Sequence, residues 1–118
     1  MKKILVAEDD KFLVKVYESK LVKAGFEAKI AQDGEEVLEI LKTFTPEIIL
    51  LDLMMPKKDG FQVLTELKAD PKLKSIPVIV TSNLSQPEDK EKALEMGAKD
   101  YIVKSDTPIQ EIIDKLKA

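Results

Sequence analysis

Cysteine is absent from the 118 residues, which excludes disulfides, thiolate metal sites, thiol nucleophiles and iron–sulfur clusters. Histidine is absent too. With it go Ser-His-Asp triads, imidazole general bases and most zinc chemistry. Any metal must therefore be held by oxygen, which points to a hard cation such as Mg²⁺. Arginine does not occur; every basic side chain is Lys. The 19 lysines stand against 22 acids, for a net charge of -3. Direct DNA or RNA binding normally shows a basic excess, so a nucleic-acid partner is not expected. No apolar run approaches the roughly 20 residues of a membrane span. The start, Met1-Lys2-Lys3-Ile4, reaches Glu8 too soon for a secretory apolar region, so a cytoplasmic location and no membrane partner are expected.

What is present is a globular composition, 44% apolar and 35% charged. The length suits one domain over residues 1–118, with no linker, repeat or low-complexity segment. Short apolar runs predict strands at Ile4-Leu5-Val6-Ala7, Ile48-Ile49-Leu50-Leu51, Ile76-Pro77-Val78-Ile79-Val80 and Tyr101-Ile102-Val103. Glu27-Ala28-Lys29-Ile30-Ala31 alternates polar with apolar and reads as a half-exposed edge strand. Helical patterns lie between them. Ile109, Ile112, Ile113 and Leu116 fall at helical spacing, and Leu13, Val16, Tyr17, Leu21 and Ala24 share a face of the first helix.

Stop and start signals agree with this division. Asp33-Gly34-Glu35-Glu36, Ser85-Gln86-Pro87-Glu88 and Thr107-Pro108-Ile109-Gln110 have capping-box spacing, with Pro108 at a first helical position. Gly25 and Gly97 sit where a helix end turns left-handed. The reading is five strands and five helices in strict β-α order: an α/β fold with a doubly wound parallel sheet and helices on both faces.

Such a sheet places its site at the carboxyl ends of its strands. The first strand ends in Glu8-Asp9-Asp10, the third in Asp52, the fourth in Thr81-Ser82 and the fifth in Lys104. Each signal has a plainer reading alone. The acidic triplet suits a helix N-terminus, Asp52 a turn or cap before Pro56, Thr81 and Ser85 a strand end and a cap, and Tyr101 simple packing. Lys104 is one lysine of many. Together they bring three or four carboxylates, a hydroxyl and an ammonium to one sheet edge. Clustered carboxylates raise one another's pKa unless a cation neutralises them, and oxygen-ligated Mg²⁺ does so. An Asp there can also be a nucleophile towards a phosphoryl group, whose charged oxygens then need metal, ammonium and hydroxyl partners.

Ile4-Leu5-Val6-Ala7-Glu8-Asp9, Asp52-Leu53-Met54-Met55-Pro56-Lys57-Lys58-Asp59-Gly60, Val80-Thr81-Ser82 and Asp100-Tyr101-Ile102-Val103-Lys104 resemble the motifs of the receiver domain of two-component response regulators, in its stand-alone, chemotaxis-regulator-like form. The resemblance covers the whole chain, and on it no output domain is expected. It implies a flavodoxin-like sheet of order 2-1-3-4-5. It further implies that Asp52 accepts a phosphoryl group from a phosphohistidine on a sensor histidine kinase or phosphotransfer protein. Asp9 and Asp52 would hold Mg²⁺ directly, Glu8 through water or by direct contact, with the Met54 backbone carbonyl as a further ligand, while Thr81 and Lys104 would meet the phosphoryl oxygens. Thr81 moving inward would let Tyr101 turn inward, changing the face made by the fourth helix, fifth strand and fifth helix. The implied protein is a phosphoacceptor that catalyses its own phosphorylation and dephosphorylation, not a turnover enzyme. It acts as a monomer or weak dimer on a downstream protein target that the sequence does not name. Kinase specificity is expected around Phe12, Leu13, Lys15 and Val16.

Two positions depart from the family's pattern. Ser105 replaces the usual proline after the lysine. A cis bond before a non-proline residue costs about 2.5–4 kcal/mol, so Lys104-Ser105 is expected to be trans, or cis only under strain. Met54 and Asn83 stand where the family tunes water access to the acyl-phosphate; apolar Met54 is expected to shield it and slow its decay. Other functions fit less well. A phosphatase of the haloacid-dehalogenase type needs a second acid two residues after its nucleophile, where this chain has Met54. A flavin carrier needs a phosphate-binding loop where Glu8-Asp9-Asp10 would repel phosphate. A phosphorylation-independent scaffold would not need the complete set of Glu8, Asp9, Asp52, Thr81 and Lys104.

Overall fold

A computed structural model describes residues 2–83 and 86–117. The strands are β1 (Lys2–Ala7), β2 (Phe26–Ala31), β3 (Ile48–Asp52), β4 (Val78–Ser82) and β5 (Asp100–Val103). The helices are α1 (Lys11–Lys23), α2 (Gly34–Ile40), α3 (Gly60–Ala69), α4 (Pro87–Glu95) and α5 (Ile109–Lys117). All pairings are parallel, in the order β2-β1-β3-β4-β5. Fold class and strand order are those expected from the sequence.

The period of two along each strand sorts the core into two layers. Leu5, Ala7, Ile49, Leu51, Val78, Val80 and Tyr101 pack with α2, α3 and α4 through Val37, Val63, Leu64, Leu67 and Ala93. Ile4, Val6, Ile48, Leu50, Ile79 and Ile102 pack with α1 and α5 through Tyr17, Leu21, Ile112, Ile113 and Leu116. Strands covered on both sides need apolar side chains at every position, which is why β3 and β4 read as unbroken runs. At the edge, β2 alternates because one side of it meets water.

Several local expectations shift. β4 starts at Val78, because Pro77 lacks an N–H and serves the lead-in through its carbonyl, which accepts from Ile49 N at 2.9 Å. On α1 the expected face holds: Tyr17 and Leu21 are in the core with Leu13 and Ala24 packed against it, while Val16 is half-buried and Val14, outside the expected set, is buried as well. Pro108 lies one residue before α5, and its carbonyl accepts from Glu111 N and Ile112 N at 3.0 and 3.2 Å. Asp33 caps α2 by accepting from Glu36 N at 2.8 Å, but the Glu36 carboxylate accepts from Gln32 N at 3.2 Å, one residue upstream of a true box. The reciprocal capping box is at α3: Asp59 accepts from Gln62 N at 2.9 Å, and the Gln62 side chain accepts from Asp59 N at 3.0 Å. Ser85, read as a cap, lies outside the described residues. Gly25 and Gly97 do have positive φ, +89° and +105°. One unforeseen element, a single 3-10 turn over Lys104–Asp106, joins β5 to α5.

Gly60 fixes how α3 meets the end of β3. A Cβ there would stand 2.6 Å from both the Asp52 carbonyl oxygen and Leu53 Cα, and Gly60 N donates to the Leu53 carbonyl at 2.8 Å. Backbone cannot retreat as a flexible side chain can. Gly60→Ala is therefore expected to destabilise the fold by about 1–3 kcal/mol through overpacking, read as a lower urea midpoint with an unchanged slope.

Candidate functional site

β1 and β3 are neighbours, so the residues at their carboxyl ends emerge side by side. β1 stops at Ala7, and Glu8, Asp9 and Asp10 follow in the turn. The triplet divides its labour. Asp10 is the α1 cap, accepting from Phe12 N at 2.9 Å and Leu13 N at 3.1 Å. Glu8 is buried and Asp9 is exposed. Glu8, Asp9 and Asp52 each offer a carboxylate oxygen within 4.8 Å of the other two.

Every oxygen of the two buried carboxylates has a donor. Asp52 Oδ1 accepts from Met54 N at 3.1 Å, and Oδ2 accepts from Lys104 Nζ at 2.8 Å. Glu8 Oε2 accepts from Asp10 N at 3.1 Å, and Oε1 accepts from the same Lys104 Nζ at 3.0 Å. Lys104 reaches both because it opens the 3-10 turn at the end of β5, across the sheet from β1. Its peptide bond to Ser105 is trans, as expected; among the described residues no peptide bond is cis.

The electrostatics follow from burial. Burial pushes the Glu8 carboxyl above its ordinary value and the Asp52 charge adds to this, while the hydrogen bond from Lys104 opposes it. For Lys104 burial alone would lower the pKa, but the hydrogen bond and charge of Asp52, then those of Glu8, outweigh it and leave it raised. One ammonium thus serves two buried carboxylates with a third beside them. An all-oxygen donor set with excess negative charge fits a hard divalent cation.

The mouth is a cleft of about 300 Å³ lined by Glu8, Asp9, Asp52, Met54, Asn83 and Lys104, along with Asp10. The Met54 side chain is 60% exposed on its rim. A neighbouring cavity, bounded by Leu13, Tyr17, Ser105 and Ile109, shares Lys104 with the cleft. Burial, then the nearby Glu8 charge, pushes the Tyr17 hydroxyl up to about 12 and keeps it neutral.

Thr81 pairs with Asp52 across the β3–β4 ladder and is buried. Tyr101 on β5 is buried as well, and its hydroxyl shares a hydrogen bond with Ser82.

The family model for the response regulator receiver domain matches residues 4–117. The chain belongs to that family. Within it, this receiver domain is 42% identical over 106 residues to the probable transcriptional regulator ycf27 of Porphyridium aerugineum, covering 90% of the chain but only 43% of that protein. Among solved structures, the Francisella response regulator 1452 receiver domain is 33% identical with a TM-score of 0.91, covering 99% of this chain and 94% of that one. The phosphorylated cyanobacterial phytochrome response regulator RcpA is 35% identical with a TM-score of 0.80, covering 86% and 79%.

All the residues singled out in the receiver motifs lie at the carboxyl end of the sheet or on the strands leading to it. What motif reading passed over is mostly backbone. The Met54 N–H holds Asp52, and Gly34 is pressed against the Lys58 carbonyl, with its N–H donating to Pro56 at 3.4 Å. Ser82 carries a hydroxyl that spacing alone could not assign to Tyr101.

Proposed function

We propose that the domain is a phosphorylation-activated switch in which Asp52 is the phosphoacceptor. The observation that carries this reading is the hydrogen-bonded Asp52 carboxylate, buried at the floor of an acidic cleft with Lys104 at 2.8 Å. One Asp52 oxygen attacks the phosphorus of a phosphohistidine on a sensor kinase or phosphotransfer protein. The P–N bond breaks, the imidazole leaves with its electron pair, and an acyl-phosphate forms. Asp9 and Asp52, with Glu8 and the Met54 carbonyl, would hold Mg²⁺, which when bound supplies positive charge to the phosphoryl oxygens. The chain's own groups do the rest. Lys104, released from Asp52 as that carboxylate is esterified, pairs with a phosphoryl oxygen. Thr81, opposite Asp52 on the ladder, gives its hydroxyl to another. The reaction is the domain's own, with no turnover substrate.

Phe12 stands 74% exposed on α1, whose first turn borders the cleft, with Lys15 and Val16 lining the same shallow groove and Leu13 beside it. An exposed aromatic ring among lysines beside the cleft suits docking of the phosphodonor protein. Signalling to the downstream target runs through α4, β5 and α5, where Tyr101 lies. The solved relative RcpA is a phosphorylated response regulator, in keeping with an acyl-phosphate on this scaffold.

Intact mass after incubation with Mg²⁺ and acetyl phosphate tests the reading. Wild type is expected to gain one phosphoryl group, and Asp52→Ala, or wild type in chelator, none. A folded wild type that gains nothing would support a phosphorylation-independent scaffold. The same assay followed over time checks the role of Met54: an exposed thioether on the rim hinders attacking water, so Met54→Asn should shorten the life of the phosphorylated form.

A further inference from the structure

Thr81 and Ser82 are adjacent on β4, so their side chains leave opposite sides of the sheet. Thr81 shares its side with Ile79 and, across the ladder, with Asp52. Ser82 shares its side with Val80, which packs in the layer of α2, α3 and α4. Tyr101 belongs to that second layer, and its ring sits 7% exposed among those residues. Ser82 is itself fully buried and hydrogen-bonds the Tyr101 hydroxyl. Through one peptide unit, the strand end that faces the phosphoacceptor is tied to the aromatic side chain beneath the signalling helices.

α4 is the element this tie can move. Of its nine residues only Ala93 is fully buried, and its N-cap, Gln86, makes no side-chain cap bond. Half-buried Asp89 faces Tyr101, and the Lys92 ammonium lies 4.1 Å from the Phe61 ring centre on α3. Such a cation–π contact at an exposed site is weak. A helix held this lightly follows the shape of the surface below it, which Tyr101 fills.

We propose that Ser82 is a positioning residue of the switch: its hydroxyl latches Tyr101 inward and makes the Tyr101 orientation report the position of Thr81. The proposal rests on the switch reading above, and its test is separate from phosphorylation. Neither buried hydroxyl can lose the other without losing a hydrogen bond to the protein. Removing the Ser82 oxygen leaves Tyr101 with an outward rotamer, where water replaces it.

The chain has two tyrosines and no tryptophan, so tyrosine chemistry reads the latch directly. Tetranitromethane is applied at fixed pH to wild type, Ser82→Ala and Ser82→Thr, and nitration is located by peptide mass. Tyr17, 1% exposed in the other layer, is the internal control for the fold. In Ser82→Ala, Tyr101 is expected to be nitrated about two- to tenfold faster, the factor that one net hydrogen bond sets on a two-state ratio. Tyr17 should be unchanged, and Ser82→Thr, which restores the hydroxyl, should return Tyr101 towards the wild-type rate. An unchanged Tyr101 rate in Ser82→Ala overturns the proposal. So does equal acceleration of Tyr17, which would make Ser82 a general packing residue. Failure here leaves the acetyl phosphate result standing, and a failed phosphorylation leaves this measurement intact.

Discussion

Lys104→Met should unfold about 3–5 kcal/mol more easily than wild type at pH 7, the cost of stripping a buried ion pair of one partner. The ammonium is 15% exposed and lies 2.8 Å from Asp52 and 3.0 Å from Glu8. Met keeps the length of the side chain and its packing but leaves two buried carboxylates facing each other. The pH dependence separates this cause from simple loss of packing. The folded pKa of Glu8 lies above its unfolded value, so the folded state binds the proton more tightly. Keeping Glu8 ionised therefore costs stability above that raised pKa, and the cost is relieved as pH falls through it. Without Lys104 the cost at neutral pH is larger, so the gap between wild type and variant should narrow on moving from pH 7 towards pH 5. In wild type, Lys104 has a raised folded pKa. Its contribution is fully present below the ordinary lysine value and is lost as pH rises through the raised one. Urea unfolding at several pH values measures both arms. A gap that stays constant from pH 7 to pH 5 would mean that charge is not what Lys104 contributes.

Much of this architecture was legible because burial leaves periods in a sequence. Ile48-Ile49-Leu50-Leu51 can be apolar throughout only where helices cover both sides, and both layers are there. Glu27-Ala28-Lys29-Ile30-Ala31 alternates because β2 is an edge. Strict β-α order then forces parallel strands, and parallel strands gather their carboxyl ends. Glu8, Asp9, Asp52 and Lys104 meet at one end of the sheet for that reason, though Asp52 and Lys104 are 52 residues apart in sequence.

The rest failed where one residue type serves two physical ends. Asp10 is chemically the same as Asp9, yet two free helix amides claim it. Asp33-Gly34-Glu35-Glu36 has the spacing of a box as surely as Asp59-Gly60-Phe61-Gln62 does. The second shows both reciprocal bonds, with Asp59 N donating to the Gln62 side chain, whereas in the first Glu36 accepts from Gln32 N instead. The inward face of α1 is legible in Leu13, Tyr17, Leu21 and Ala24, but its edge is not. Val14 and Val16 are equally apolar, and the angle at which α1 lies on the sheet, which a single helix does not encode, buries the first and leaves the second partly in water. In the sequence Ser82 is only the neighbour of Thr81, since a hydroxyl's partner depends on which strand lies alongside and on which face.

Mg²⁺ should stabilise the domain by about 2.7 kcal/mol when present at a hundred times its dissociation constant, because a ligand that binds only the folded state shifts unfolding by mass action. Asp9 isolates this effect. It is exposed, unlike Glu8 and Asp52, so Asp9→Asn should change the stability of the metal-free domain by no more than about 0.5 kcal/mol. It removes one of the three clustered carboxylates, so most of the Mg²⁺ response should vanish with it. Thermal unfolding with and without Mg²⁺, repeated in chelator, measures both quantities. An Asp9→Asn protein that keeps the full response would place the cation away from this cleft. Lys104→Met should show the opposite deviation. With the ammonium gone, the divalent cation is the remaining means of neutralising Glu8 and Asp52, so its stabilising effect should exceed that in wild type. The two variants bracket the site: one loses a ligand and the response with it, the other loses the competing charge and responds more.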